Sequence, residues 1–315
     1  MSSDQKKIAL VLGSGAARGL SHIGVLKILE EHKIPIHMVV GTSMGAMVGG
    51  AYAAGLSASQ IEEIACGTNW LQVAKILFPK KLQSKALLDG ERVQEFLLAL
   101  FGERKIEDLQ IPFASIATDI WAGEEIILDS GSLITAIRAS ISVPFLFTPM
   151  ELNGRHLVDG GVVNPLPINI ARDMGADIVI AVGATPSTDR HAQHLSTGKP
   201  LTRTKILAAA NSSAFLKRFL QYFDEDGALK KALNRKKVAP VKSPGMRRQM
   251  VQMGVTMENM ILALRLKEHP PDVLITPQVD KFQFFDFAKS RGIIDAGTEA
   301  AILKIDELIQ YGSNE

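Results

Sequence analysis

The sequence predicts an α/β protein: a doubly wound, mostly parallel sheet flanked by helices, with a basic helical insertion. Three observations carry this expectation. Short apolar runs alternate with stretches of helical spacing over residues 7–183. Two of the early runs end in glycine-rich turns that lead straight into helices. The alternation breaks off after Gly183, where a long segment of different composition begins, and resumes near Asp272.

Lys7–Leu12 reads as the first strand and runs into Gly13-Ser14-Gly15-Ala16-Ala17-Arg18-Gly19. Leu20, Ile23, Leu26, Ile28 and Leu29 then fall at helical intervals. Small residues between a strand and a helix let backbone N–H groups point at an anion. The phosphate-binding patterns do not fit, because there is no Gly-Lys-Ser/Thr ending and Arg18 sits where a dinucleotide fingerprint needs glycine. The oxyanion of an acyl-transfer intermediate needs only two or so free N–H groups beside a nucleophile.

A candidate nucleophile follows one helix later. Met38-Val39-Val40 reads as a buried strand, Gly41-Thr42-Ser43-Met44-Gly45 as a sharp turn, and the small-residue run beyond it as a helix ending at Gly55. This is the G-x-S-x-G pattern in strand–turn–helix context, where residues without bulk let strand and helix approach and the serine hydroxyl projects clear. On those five residues alone an ordinary tight turn reads as well; the flanking elements favour a nucleophile.

Ser57 with Gln60 predicts a capping box for a helix through Ala65. Trp70–Phe78 is amphipathic and fits either a lid or a core helix, and Asp89 is placed to cap a helix through Phe101. Pro112–Thr118 and Glu125–Asp129 read as strands paired across the intervening turn, and Ser132–Ser140 as a helix. Leu157-Val158-Asp159-Gly160-Gly161 sets an acid at the end of an apolar run, before two glycines that allow close backbone approach. Asn164–Pro167 leads into a helix to Met174, and Ile178–Val182 is an apolar strand.

Beyond Gly183, Ser187–Pro200 reads as a loop. Ile206–Phe223 and Gly227–Val238 carry aromatic and basic residues, and Pro244–Lys267 is a long helix whose methionines, at helical spacing, are expected in the core. Asp272–Pro277 returns to strand, Phe284–Ser290 to a short helix and Ala296–Gln310 to a terminal helix.

Composition narrows the class. Apolar content of 46% and charge of 22% are those of a globular protein, and the single cysteine, Cys66, excludes an internal disulfide and a cysteine-rich metal site. The apolar run Ile8–Leu12 is too short for a signal-peptide core or a membrane span, which points to the cytoplasm. Lys199–Met250 holds thirteen Lys/Arg against three acids, a local charge of +10, while the remainder carries −8. With Phe215, Phe219, Leu220 and Phe223 beside Lys217 and Arg218, that segment fits either peripheral contact with anionic membrane at the inner surface or a face packed on the sheet or a second subunit with its cations solvated. No nucleic-acid motif accompanies it.

Gly13–Leu20, Gly41–Gly45 and Asp159–Gly161 together resemble the glycine-rich loop, serine elbow and Asp-Gly-Gly/Ala motif of one family, the patatin-like phospholipases. The likeness is to the bacterial branch similar to the neuropathy target esterase catalytic domain. Arg138–Phe145, Asp159–Pro167, Pro271–Pro277, Asp286-Phe287 and Ala296-Gly297 resemble further blocks of it. The resemblance covers roughly residues 6–185 and 270–305, as one domain over 6–305 interrupted by 186–270. It implies a lipid or lysophospholipid ester hydrolase with Ser43 as nucleophile, Asp159 as base, and neither cofactor nor metal. The oxyanion donors would map onto Ser14, Gly15 and Ala16, near Arg18, with Gly13, Gly19, Gly41, Gly45, Gly160 and Gly161 supporting the motifs. The family usually has glycine where this chain has Ser14 and Ala16, so a left-handed backbone angle at either would be strained. A carboxylate base also needs burial or geometry to lift its basicity. Two other readings remain. A Ser-Asp-His hydrolase would draw its histidine from His191, His194 or His269, and a non-catalytic adaptor would use the basic segment.

Overall fold

Strand β1 (Ile8–Leu12) lies at the middle of the sheet and is buried along its whole length. A strand covered on both faces can be apolar at every position, and this one is. The computed structural model describes residues 6–68, 90–185 and 246–312. These elements belong to one compact unit, Met1–Ser187 with Gln252–Glu315; a second, Thr188–Val251, falls outside the described residues except at its C-terminal end. The Trp70–Phe78 helix, the Asp89 cap, the Ser187–Pro200 loop and nearly all of the basic Lys199–Met250 segment therefore lie outside them.

β1 is followed by helix α1 (Ser21–Glu31), β2 (Met38–Thr42), α2 (Met44–Ala53), α3 (Ala58–Gly67) and α4 (Gly90–Phe101). Next come β3 (Phe113–Asp119), β4 (Glu124–Leu128), α5 (Leu133–Ser140), β5 (Met150–Leu152) and β6 (Arg155–Asp159). The chain closes with α6 (Ile168–Asp173), β7 (Ile178–Val182), α7 (Met246–Glu268), β8 (Val273–Ile275), α8 (Ser290–Ile302) and α9 (Ile305–Gly312). The strand order is β5-β6-β3-β2-β1-β7-β8, with β4 also on β3. Five strands, β8 through β3 in that order, run parallel, while β4 and β6 lie antiparallel to β3. The expected doubly wound body is present with the predicted β3–β4 hairpin, and beside it an antiparallel pair, β5 and β6, that the sequence pattern did not announce. The short β5 and β6 carry exposed polar residues, which hide the alternation.

Alternate residues of each strand serve opposite faces. Ile8, Leu10, Leu12 and Val39 join α1, α2, α5 and α8 in the larger core, while Ala9, Val11, Met38 and Val40 meet α6 and the Leu262 and Leu266 side of α7. The capping box at α3 forms as expected, with Ser57 Oγ accepting from Gln60 N–H and Gln60 Oε1 accepting from Ser57 N–H. The C-terminal helix begins earlier than expected and breaks at Leu303-Lys304, giving α8 and α9.

The methionine stripe departs from expectation. Met253, Met257 and Met260 are 54%, 52% and 64% exposed, because α7 turns Val255, Leu262 and Leu266 inward and these methionines sit on the opposite side.

Register in β3 fixes the site. Residues 115–116 of β3 pair with both β2 and β4, and residues 117–119 with both β4 and β6. Since a strand has two edges, β2 and β6 must share one. They run toward each other along it: Thr42 ends opposite Ile116 and Asp159 opposite Ala117. The two motifs therefore end one rung apart.

Candidate active site

Ser43 sits between β2 and α2 with φ +57 and ψ −119, a region that L-residues seldom occupy. The turn is held by close packing. A Cβ on Gly45 would stand 2.0 Å from Leu12 O, and one on Gly41 would meet Ala46 N at 2.6 Å, so neither position tolerates a side chain. Ser43 N–H donates to Ser140 Oγ at 2.8 Å, and Thr42 Oγ1 donates to Asn164 O at 2.9 Å. The Ser43 hydroxyl is left free to donate to Asp159 Oδ2, at 2.6 Å.

Asp159 is 6% exposed and is fixed on every side. Its N–H donates to Ser142 O at 3.0 Å, its carbonyl accepts from Thr118 Oγ1 at 2.9 Å, and its Oδ1 accepts from Gly161 N–H at 2.8 Å. Gly160 lies so close to β3 that a Cβ would be 2.3 Å from Ile116 O. Burial raises the Asp159 carboxyl from 3.8 to about 6, with the hydrogen bonds from Ser43 and Gly161 opposing part of the rise. A carboxylate of that basicity is ionised near neutral pH and a better proton acceptor than a solvated one.

The loop after β1 closes the site from the other side. Gly13 N–H donates to Val182 O at 3.0 Å and Ser14 N–H to Pro165 O at 2.9 Å. Ser14 is thus not available as a backbone donor; its hydroxyl donates to Glu258 Oε1 on α7. Among the described residues, the Gly15 and Ala16 N–H groups have no hydrogen-bond acceptor. They are the two donors of the expected set that remain free. Arg18 is buried: its Nε donates to Phe282 O at 3.1 Å, and its charge faces Glu258, Asp280 and Asp286. With Ala17 N–H donating to Phe284 O at 3.2 Å, it clamps the loop to the segment before α8. Gly19 lies against Met44, where a Cβ would be 2.6 Å from the methionine side chain.

Several residues that position these groups carried no signal of their own. His22 is buried beneath the loop and its Nε2–H donates to Gly13 O at 2.7 Å; burial lowers it to about 4, so it stays neutral. Ser140, Ser142 and Asn164 could be found only through the Arg138–Phe145 and Asp159–Pro167 blocks that contain them. Glu258 had no such context. Among the described residues no histidine hydrogen-bonds to the Ser43 or Asp159 side chain; His269 lies beside Glu268, and His191 and His194 fall outside.

Ala16 has φ +49, the strain expected where a glycine would be at ease. Ala16→Gly should therefore raise stability by up to about 1 kcal/mol, read as a shift of the urea midpoint. A fall instead would mean that lost methyl packing outweighs the relieved strain.

A family model, Patatin-like phospholipase, matches residues 10–172. An NTE family protein of Mycobacterium tuberculosis is 38% identical over 187 residues, 59% of this chain and 51% of that one. Patatin-like phospholipase domain-containing protein 6 of Homo sapiens is 39% identical over 188 residues, 58% of this chain and 14% of that one. The chain thus matches about half the length of the mycobacterial relative and a small part of the human one. VipD from Legionella pneumophila shares the fold, with a TM-score of 0.55 at 14% identity over 97% of this chain and 68% of that one. The chain belongs to the patatin-like phospholipase family.

Proposed function

We propose that the chain hydrolyses lipid acyl esters, as a phospholipase or lysophospholipase, using Ser43 and Asp159 as a catalytic dyad. The observation that carries the reading is the 2.6 Å hydrogen bond from Ser43 Oγ to the buried Asp159 carboxylate, made by a serine in a strained turn. In this reading Ser43 Oγ attacks the ester carbonyl as its proton passes to Asp159, and the carbonyl electron pair moves onto oxygen. The Gly15 and Ala16 amides hold that oxyanion. Collapse expels the alcohol, which takes the proton from Asp159. Water then attacks the acyl-enzyme and gives a proton to Asp159; as the second tetrahedral intermediate collapses, Ser43 Oγ leaves, takes that proton from Asp159, and the acid departs.

A further observation favours a lipid surface. On the turn between β3 and β4, beyond the end of β3 that carries the dyad, Ile120 and Trp121 are 41% and 81% exposed. No helix among the described residues is long and apolar enough to cross a membrane. Peripheral contact with anionic lipid through Lys199–Met250 remains part of the proposal.

Labelling by a fluorophosphonate, located at Ser43 by mass spectrometry, tests the nucleophile. A panel of p-nitrophenyl esters and lysophospholipids tests the substrate class. No labelling and no turnover would sink the reading.

A further inference from the structure

Glu258 enters the site from α7, an element outside the three motifs. The Ser14 hydroxyl donates to its Oε1. Ser14 lies in turn against Gly161: a Cβ there would stand 3.1 Å from both Ser14 Oγ and Asp159 Oδ1. Two carboxyl groups, Glu258 and Asp159, thus flank one small space beside Ser14 and Gly161. The charged groups that face Glu258 are Asp159 from β6 and Arg18 from the loop after β1, and Asp280 and Asp286 face Arg18 in turn. α7 is anchored close by. Leu262 and Leu266 pack into the core beneath the sheet, and Arg265 Nη2 donates to Val163 O at 3.4 Å and lies 3.8 Å from Glu125 Oε2.

We propose that Glu258 is a positioning residue for acyl transfer, acting through Ser14 on the oxyanion loop and through its charge on the dyad. The inference rests on the acyl-transfer reading above. The Gly15 and Ala16 amides follow Ser14 directly in the chain, so a displacement of Ser14 displaces both donors. A misplacement of about 1 Å in such a group is enough to cost two orders of magnitude in rate. The charge matters separately. Burial pushes Glu258 up to about 7, with the Asp159 charge adding to the rise and the Ser14 bond and Arg18 opposing it. Below that pH Glu258 is neutral and does not oppose a nearby oxyanion; above it, a second carboxylate repels the developing charge, offset in part by Arg18. Activity should therefore rise as the Asp159 side of the pair ionises near pH 6 and fall as pH climbs through about 7.

The test uses the full chain and a soluble p-nitrophenyl ester, with thermal melts to verify folding. Glu258→Ala should lower kcat by about 10- to 100-fold with KM changed by less than about threefold, the signature of a group acting on the transition state. Glu258→Gln keeps an acceptor for Ser14 and cannot ionise, so it should recover most of that loss and flatten the alkaline fall. Ser14→Ala combined with Glu258→Ala should cost no more than the worse of the two alone, because they break one linkage. An alkaline fall that persists unchanged in Glu258→Gln, or effects of Ser14→Ala and Glu258→Ala that multiply, would overturn the proposal. Those outcomes arise in an active enzyme. Absence of both turnover and Ser43 labelling in the unmodified chain would remove the acyl-transfer reading and this inference together.

Discussion

Ser43→Ala is expected to abolish ester hydrolysis, lowering kcat by about 10⁴-fold or more, with little change in melting temperature. The change deletes only a hydroxyl whose partner is Asp159 Oδ2 at 2.6 Å. The backbone angle of φ +57 is as awkward for alanine as for serine, so strain in the turn persists. Ser43→Gly separates the two effects. It should be equally inactive yet more stable, since glycine occupies that region freely. An alanine variant that retains most of its activity at unchanged melting temperature would show that some other group attacks the ester.

Asp159→Asn should be nearly as damaging to hydrolysis, about 10³- to 10⁴-fold, because it keeps the shape and removes the base. It should also stabilise the fold, in a defined pH window. The folded carboxyl sits at about 6 against an ordinary 3.8, so the folded state holds its proton more tightly than the unfolded chain does. Stability then falls as pH rises from the lower value to the higher, and the full cost, about 3 kcal/mol for a rise from 3.8 to about 6, persists above it. Asparagine carries no such cost. Melts of the two proteins at pH 8 should differ in favour of the variant, and the gap should close toward pH 4. An equal penalty in the variant at every pH would mean that its hydrogen bonds, and not desolvation, dominate at this position.

The parts of the fold legible in the sequence are those where local pattern and tertiary role coincide. β1, β2 and β7 are buried on both faces, so their apolar runs announce them. Ser43 and Asp159 stand in motifs whose glycines leave no room for a side chain, since a Cβ on Gly45 would come within 2.0 Å of Leu12 O, and such steric demands leave a mark in the chain. Glu258 leaves none. It is one acid on a helix with methionines at helical spacing, and its role depends on which side of α7 faces the sheet. The same ambiguity misplaced the methionines, since periodicity shows that a helix has an apolar stripe but not what the stripe meets. The loop after β1 was legible as a loop, yet its division of labour was not. Ser14 gives its amide to Pro165 O, a partner 151 positions along the chain, which no local pattern reveals.

The meeting of β2 and β6 on one edge of β3 has a kinetic consequence. Ser43 and Asp159 are 116 residues apart, and no local segment contains both. The loop-closure entropy of joining them must be met before their contact can form, so the Ser43–Asp159 hydrogen bond assembles only once β3 has recruited a parallel partner from one direction and an antiparallel one from the other. A chain in which α1 and α2 have packed on the first strands can be largely helical and still inert. During refolding, return of the proposed esterase turnover should lag the recovery of helical circular dichroism, making the Ser43–Asp159 pair a reporter of the last long-range pairing in the sheet.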